Sequence, residues 1–361
     1  MAENCKYYKE KRQVSYDNGA TYVDVVPAEY RKGELIEAYS YDCGGGSSGY
    51  SGNYLTFVAT ESGTFRFNGS SSSNVNNSSI QYSLDNGSTW YTLNRNVNSP
   101  TVSAGYRIMW KSTNLTPVDY NNGTVGIGYF KSTGKYNVEG NIMSLFYGDN
   151  FEDKTSLSGK KNAFYGLFQE NYVVNANNLI LPATTLADSC YQSMFSSCEL
   201  LTSAPELPAT TLAKNCYANM FQTCSSLATL PDLPATTLAE NCYSYMFGDC
   251  DSIVTVPSNY LSATTLANAC YSHMFGSCSS LTTAPSLPVA TLVQGCYQYM
   301  FDGCTSLSAV TCLATDISAT TCTYYWLNGV SSTGTFTKAA SMDDWTEGAS
   351  GIPSNWTVQD A

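Results

Sequence analysis

Two cysteines eight positions apart recur along the second half of this chain, in CYQSMFSSC, CYANMFQTC, CYSYMFGDC, CYSHMFGSC and CYQYMFDGC. Thiols in such numbers can ligate zinc, cycle between redox states, form disulfides or simply pack. Cysteine zinc sites use close Cys-x-x-Cys pairs to build a tetrahedron, and these pairs are too widely spaced. Laid on a helix, the two sulfurs of one pair stand about 12 Å apart along the axis, beyond the ~7 Å Cα limit of a disulfide. Degenerate copies put Ala163, Asn171 and Val330 in the two cysteine columns. A ligand or redox thiol does not survive replacement by alanine or valine, whereas a core position does. The expectation is buried, reduced, packed thiols, with no metal and no cofactor. Bridges between cysteines of neighbouring copies stay open on this reading.

His273 is the only histidine. Other copies carry Ser193, Asn219, Tyr245, Tyr299 and Tyr325 at its place, so Ser-His-Asp and Cys-His mechanisms have no fixed base. Paired carboxylates serve glycosidases, but the place two before the first cysteine reads Asp188, Lys214, Glu240, Asn268, Gln294 and Thr320. That is no acidic column, and Asp249 and Asp302 fall in turn positions where solvated aspartate is common. No catalytic residue is expected in the copies. Upstream, Ser83-Leu-Asp-Asn-Gly-Ser-Thr-Trp90 and Ser15-Tyr-Asp-Asn-Gly-Ala-Thr-Tyr22 place Asn-Gly between strand formers, a hairpin signal. The string S-x-D-x-G-x-T-W resembles the Asp-box of sialidases and other carbohydrate-active proteins. That resemblance implies a structural turn remote from chemistry. An enzymatic alternative would have to use Asp85, Glu61 or Asp119 in this upstream region.

The elements that carry these residues follow from the repeat. First cysteines fall at Cys190, Cys216, Cys242, Cys270, Cys296 and Cys322, a spacing of 26 residues with one of 28. The two extra residues lie between Pro257 and Leu261, as a loop insertion would. At about 100° per residue, Leu238, Ala239, Cys242, Tyr243, Met246 and Phe247 share one face, which predicts a short helix over 238–247. Thr237 with Glu240 suits a capping box, and Gly248 with Asp249 suits the helix end. Leu281-Thr-Thr-Ala-Pro285 reads as a brief strand. Strand plus short helix at this period is the leucine-rich-repeat pattern.

The expected fold class is therefore α+β and multi-domain: N-terminal antiparallel β modules, then a leucine-rich-repeat solenoid of about seven 26-residue units with short parallel strands and short helices. The expected divisions are a β-hairpin segment at 1–43, a Gly/Ser linker at 44–53 and a β-sandwich-like domain at 54–138. The solenoid with its N-terminal cap occupies 139–332, and a C-terminal cap with Trp345 and Trp356 occupies 333–361.

Charge narrows the partners. The net charge is −12, and between Asn162 and Thr337 Lys214 is the one basic residue against ten Asp and Glu. Nucleic acid and anionic membrane surfaces need a basic stripe that is absent here. No apolar run approaches the ~20 residues of a membrane span, so no membrane insertion is expected. MAENCKYYKEKRQVSYDNG lacks the apolar core of a secretory signal.

The units of the type LPATTLAENCYSYMFGDC resemble the BspA-like leucine-rich repeats of gut bacterial surface proteins, with Phe195, Phe221, Phe247, Phe275 and Phe301 at the aromatic position and the second cysteine in place. The T-T-L turn and the extra Tyr-x-x-Met depart from that pattern. The resemblance covers roughly 140–361 and implies adhesion to host or microbial surfaces, without catalytic residues. The expected function is non-catalytic recognition of a surface glycan or protein receptor, in a bacteriophage tail fibre or other virion component, with self-assembly or virion proteins as further partners. A bacterial cell-surface protein and a carbohydrate-active enzyme are the alternatives. The expected location is outward-facing, on a virion or a bacterial surface. Tyr245, His273, Tyr299, Tyr324 and Tyr325 are the expected ligand-binding residues, since exposed tyrosines make rigid, amphipathic contacts.

Overall fold

A computed structural model describes residues 6–8, 11–14, 23–25, 54–69, 80–121 and 124–361. The chain divides into two compact units, Met1–Gly49 and Tyr50–Ala361. In the first, β1 (Lys6–Tyr8), β2 (Lys11–Val14) and β3 (Val23–Val25) form an antiparallel sheet in that order. Ser15–Tyr22, Cys5 and Cys43 lie outside the described residues.

The second unit opens with β4 (Leu55–Ala59), β5 (Phe65–Asn68), β6 (Ile80–Ser83), β7 (Tyr91–Leu93), β8 (Arg107–Lys111), β9 (Val118–Asn121), β10 (Thr124–Gly126), β11 (Tyr129–Ser132) and β12 (Tyr136–Asn141). Alternating aromatics on these runs make one face apolar: Phe57, Phe65, Phe67, Trp110, Phe130 and Tyr136 are fully buried against one another. After the single turn α1 (Ser144–Tyr147) comes β13 (Val173–Ile180), and the main sheet runs β13-β12-β4-β8-β6-β7. It is mixed, because β12 pairs antiparallel with β4 but parallel with β13. The sheet therefore runs straight through the expected division at 138/139. Phe130 of β11 stacks on Phe168 of the first repeat, so one core serves both regions.

The repeats are not helical, and the α+β leucine-rich-repeat expectation is overturned. The short turn α1 is the one α-helical element among the described residues. Each cysteine segment is instead a chain of reverse turns. In the first full unit Cys190, Gln192, Met194, Ser196 and Cys198 donate their amides to the carbonyls three residues back. The residues between them turn outward: Ser189, Tyr191, Ser193, Phe195 and Ser197 donate to Lys214, Cys216, Ala218, Met220 and Gln222 of the next coil at 2.7–3.0 Å. The carbonyls of Cys190, Gln192, Met194 and Ser196 accept from the preceding coil. Every amide of the segment is thus satisfied, half within its coil and half across coils.

A left-handed residue every fourth position makes this possible. Ser189, Ser193 and Ser197 have φ of 55–60°, and Asn241, Tyr245 and Asp249 repeat the pattern at 54–60°. A helix needs φ near −63° throughout and i→i−4 bonds, so the expected helix at 238–247 cannot form. The apolar pairs Leu238/Ala239, Cys242/Tyr243 and Met246/Phe247 recur at a period of four. Over ten residues that period is nearly indistinguishable from 3.6, which is why the sequence resembles an amphipathic helix.

The opposite side of each coil carries brief parallel contacts. Thr185, Thr211, Thr237 and Thr265 form one column of bridges, and Thr255, Thr283 and Ala309 form another. Thr237 is therefore a bridge residue and not a helix cap; Glu240 pairs with Lys214 of the preceding coil. At the far end β14 (Ala309–Cys312), β15 (Gly334–Lys338) and β16 (Trp356–Asp360) pair in parallel. Trp345 stacks on Trp326 at 5.4 Å, and Trp356 donates its indole N–H to the Ser331 carbonyl.

Candidate binding surface

In register, the coils stack like side chains on like. Phe164, Tyr191, Tyr217, Tyr243, Tyr271, Tyr297 and Trp326 form one buried column, with ring centroids 5.7–6.3 Å apart. Phe168, Phe195, Phe221, Phe247, Phe275 and Phe301 form a second, at 5.2–5.9 Å. Both are core, since all but Tyr271 are within 1% of full burial.

The cysteines complete that core. All twelve described cysteines are buried and unbridged. The second of each pair also ties coils together, for Cys198, Cys224, Cys250, Cys278 and Cys304 donate Sγ–H to the phenylalanine carbonyl one coil back, at 3.0–3.2 Å. In the degenerate unit Asn171 takes over this bond, donating Nδ2 to the Phe130 carbonyl at 2.8 Å. That substitution makes sense for a hydrogen-bond donor and none for a metal ligand. Burial pushes the thiols of Cys198, Cys216, Cys270 and Cys278 up to about 12, which removes the thiolate that redox chemistry requires.

The expected ligand-binding residues are brought together in one place. Ser193, Asn219, Tyr245, His273, Tyr299 and Tyr325 occupy one column, each at φ of 51–57°. Tyr245 and His273 stack nearly parallel at 4.0 Å, and His273 and Tyr299 at 4.4 Å. Tyr325 tilts against Tyr299 at 5.8 Å, while Tyr324 meets Tyr299 edge-on at 5.4 Å. Tyr245, His273 and Tyr299 are half-buried; Tyr324 and Tyr325 are about 40% exposed. The left-handed conformation costs an L-residue about 1–2 kcal/mol, and bulky rings tolerate it worst. Tyr245, Tyr299 and Tyr325 hold it all the same, with His273, a residue that suits it better, among them; Asn or Gly would hold the tyrosine places at less cost. The positive φ itself belongs to the turn ladder, since Ser189, Ser197, Asn241 and Asp249 share it; what sets this column apart is that tyrosines occupy it, and a disfavoured residue on such backbone is a pointer to function.

The electrostatics of the column are acidic. Burial in the stack drives the His273 imidazole down to about 4, against a smaller opposing pull from Asp302, and its Nδ1 lies 2.9 Å from the Ser272 hydroxyl. Burial raises the Tyr245 hydroxyl, with Asp249 and Asp302 adding to the shift. His273 is therefore neutral and packed at neutral pH, with no carboxylate among the described residues hydrogen-bonded to it.

The upstream carboxylates have structural partners. Asp85 accepts from the Thr89 amide at 2.8 Å and the Ser83 hydroxyl at 2.7 Å, and these bonds, Thr89's foremost, hold it down at about 2. With Asn86 and Gly87 at positive φ, it closes the turn between the antiparallel strands β6 and β7. Trp90 then packs on Tyr54 at 4.8 Å, under the Lys111 ammonium 4.1 Å away. Lys111 is itself tied to Asp149 at 2.6 Å. Glu61 pairs with Lys135 at 2.6 Å. Asp119 falls in β9, and its side chain lies outside the described residues.

The amino-acid pattern flagged the outer column but not its stacking, nor its strain. A signal for the strain exists: the left-handed places read Ser189, Asn215, Asn241, Ala269, Gly295 in one column and Ser197, Thr223, Asp249, Ser277, Gly303 in another, rich in residues that suit positive φ. No helix among the described residues is long and apolar enough to cross a membrane. No family model matches the chain, nor does any curated protein or solved structure.

Proposed function

We propose that this chain is a non-catalytic recognition protein, displayed on a bacterial or virion surface, whose outer aromatic column engages a glycan or protein ligand. The observation that carries this reading is the half-exposed ladder Tyr245–His273–Tyr299 with Tyr324 and Tyr325, in which Tyr245, Tyr299 and Tyr325 stand on left-handed backbone that tyrosine disfavours. The buried Tyr and Phe columns already supply the packing that joins the coils, so this third ladder is more than the fold requires. Tyrosines whose motion is frozen by neighbours lose little entropy on binding, the usual reason such residues dominate contact surfaces.

The test is binding of the full chain to an array of glycans and to whole bacterial cells, set beside a Tyr299→Ala/Tyr324→Ala/Tyr325→Ala variant. Binding that disappears in the variant, with the thermal midpoint of the remaining fold intact, supports the proposal. Undiminished binding removes it. Release of new reducing ends, abolished by Asp85→Asn or Glu61→Gln, would replace it with a hydrolytic function.

A further inference from the structure

Stacking decides which part of the column can meet a ligand ring. A ring face already covered by its neighbour offers a ligand only an edge. His273 has both faces covered, by Tyr245 and Tyr299. Tyr245 differs: His273 is its one ring partner among the described residues. On its other side the column drops to Asn219, whose coil is joined to that of Tyr245 through the Asn219 amide and the Ser244 carbonyl at 2.8 Å. The aromatic ladder thus ends in a step, with one tyrosine face above a short polar side chain.

The step is furnished with hydrogen-bonding groups. Asn219 donates Nδ2 to Gln222 Oε1 at 2.7 Å. This bond leaves the Asn219 Oδ1 acceptor and the Gln222 Nε2 donors with no partner among the described residues, and both side chains are part-exposed. Beyond Gln222 in its own column the next coils carry Gly248 and Gly276, then Asp302 and Asn328. Neither glycine has positive φ, and a Cβ at either would meet nothing closer than 3.5 Å. Nothing in the backbone demands glycine there. Its effect is to leave the flank of Tyr245 and His273 without side chains for two coils.

We propose that the face of Tyr245 left without a ring partner, with the Asn219–Gln222 amide pair beside it, is a subsite for an uncharged pyranose ring of a glycan. This assignment rests on the recognition reading above. A pyranose has an apolar C–H face to lie on the phenol, and a ring of hydroxyls that each need a donor or an acceptor. The free amide groups supply both. Asp249 and Asp302 stand near the ladder and oppose an acidic sugar.

His273, as the only histidine, gives the experiment a single imidazole signal directly behind Tyr245. The full chain, labelled at histidine, is titrated with neutral methyl pyranosides, N-acetylglucosamine and methyl glucuronide while that signal is followed by NMR. The expected result is a saturable shift with at least one neutral probe and a much weaker one with the glucuronide. Tyr245→Ala and Asn219→Ala should weaken binding on the order of tenfold, as expected for loss of a stacking or hydrogen-bonding contact. Gly248→Gln copies the side chain that Gln222 carries one coil away and so keeps the fold; it should block the flank and weaken binding similarly. A saturable shift untouched by all three variants would overturn the subsite while leaving recognition by the remainder of the ladder standing. Silence with every monosaccharide would overturn it too, and the array described above then judges the wider reading separately.

Discussion

Replacing Ala269 by glycine separates a turn ladder from a helix by the sign of one stability change. Ala269 sits at φ 51°, where an L-residue costs about 1–2 kcal/mol over glycine. Glycine removes that strain but loosens the unfolded chain by roughly 0.4–1 kcal/mol. The lost methyl makes little difference, because Ala269 is only part-buried. The net expectation is a gain of about 0–1.6 kcal/mol, centred near 0.8 kcal/mol. Gly295 already holds the equivalent place one coil on, at φ 61°, so the substitution copies a neighbour and invites no new packing. Within a helix the same change would cost about 1 kcal/mol. Urea denaturation followed by far-ultraviolet circular dichroism measures the difference, with Gly295→Ala as the mirror experiment expected to destabilise. A loss of about 1 kcal/mol in Ala269→Gly would refute the turn ladder and with it the strain argument for the outer column.

Other outcomes follow from the buried thiols and the single histidine. Ellman's reagent should find the twelve described cysteines unreactive in the native chain and titrate at least twelve thiols after denaturation without reductant; fewer than twelve would mean bridges among them. The folded chain retains thiol protons up to about 12 that the unfolded chain releases near 9.0. Stability should therefore fall as pH rises across that window, read as the urea midpoint. His273 works the other way. Its folded value near 4 lies below the ordinary 6.5, so its share of stability is present above pH 6.5 and lost as pH falls towards 4. His273→Gln should flatten that limb of the profile. Cys250→Ala, which removes a buried sulfur and its bond to the Phe221 carbonyl, should cost roughly 1–3 kcal/mol, and Asn171→Ala a similar amount by losing the equivalent bond to Phe130.

Much of the architecture was legible in the residues. The 26-residue repeat, the inward Cys, Tyr, Met and Phe, and the outward place of Tyr245, His273 and Tyr299 all follow from period and polarity, because burial selects residue types directly. The presence of Ala163, Asn171 and Val330 in the cysteine columns marked those places as structural, but that the second column donates a hydrogen bond was visible only once the Phe130 carbonyl stood opposite Asn171. Backbone conformation was not legible in the same way. A period of four and a period of 3.6 leave the same mark on ten residues, and the choice between them lies in where the amides find partners. Those partners sit 25 to 27 residues away, in the next coil, so the turn ladder exists only once coils are stacked. Tertiary structure alone also fixed the fusion of the β region to the repeats through β12 and Phe130, since a parallel pairing with β13 has no local signature. The same holds for the step at Tyr245. Sequence supplies an aromatic and an asparagine 26 positions apart, but which ring faces are covered depends on the register in which neighbouring coils meet.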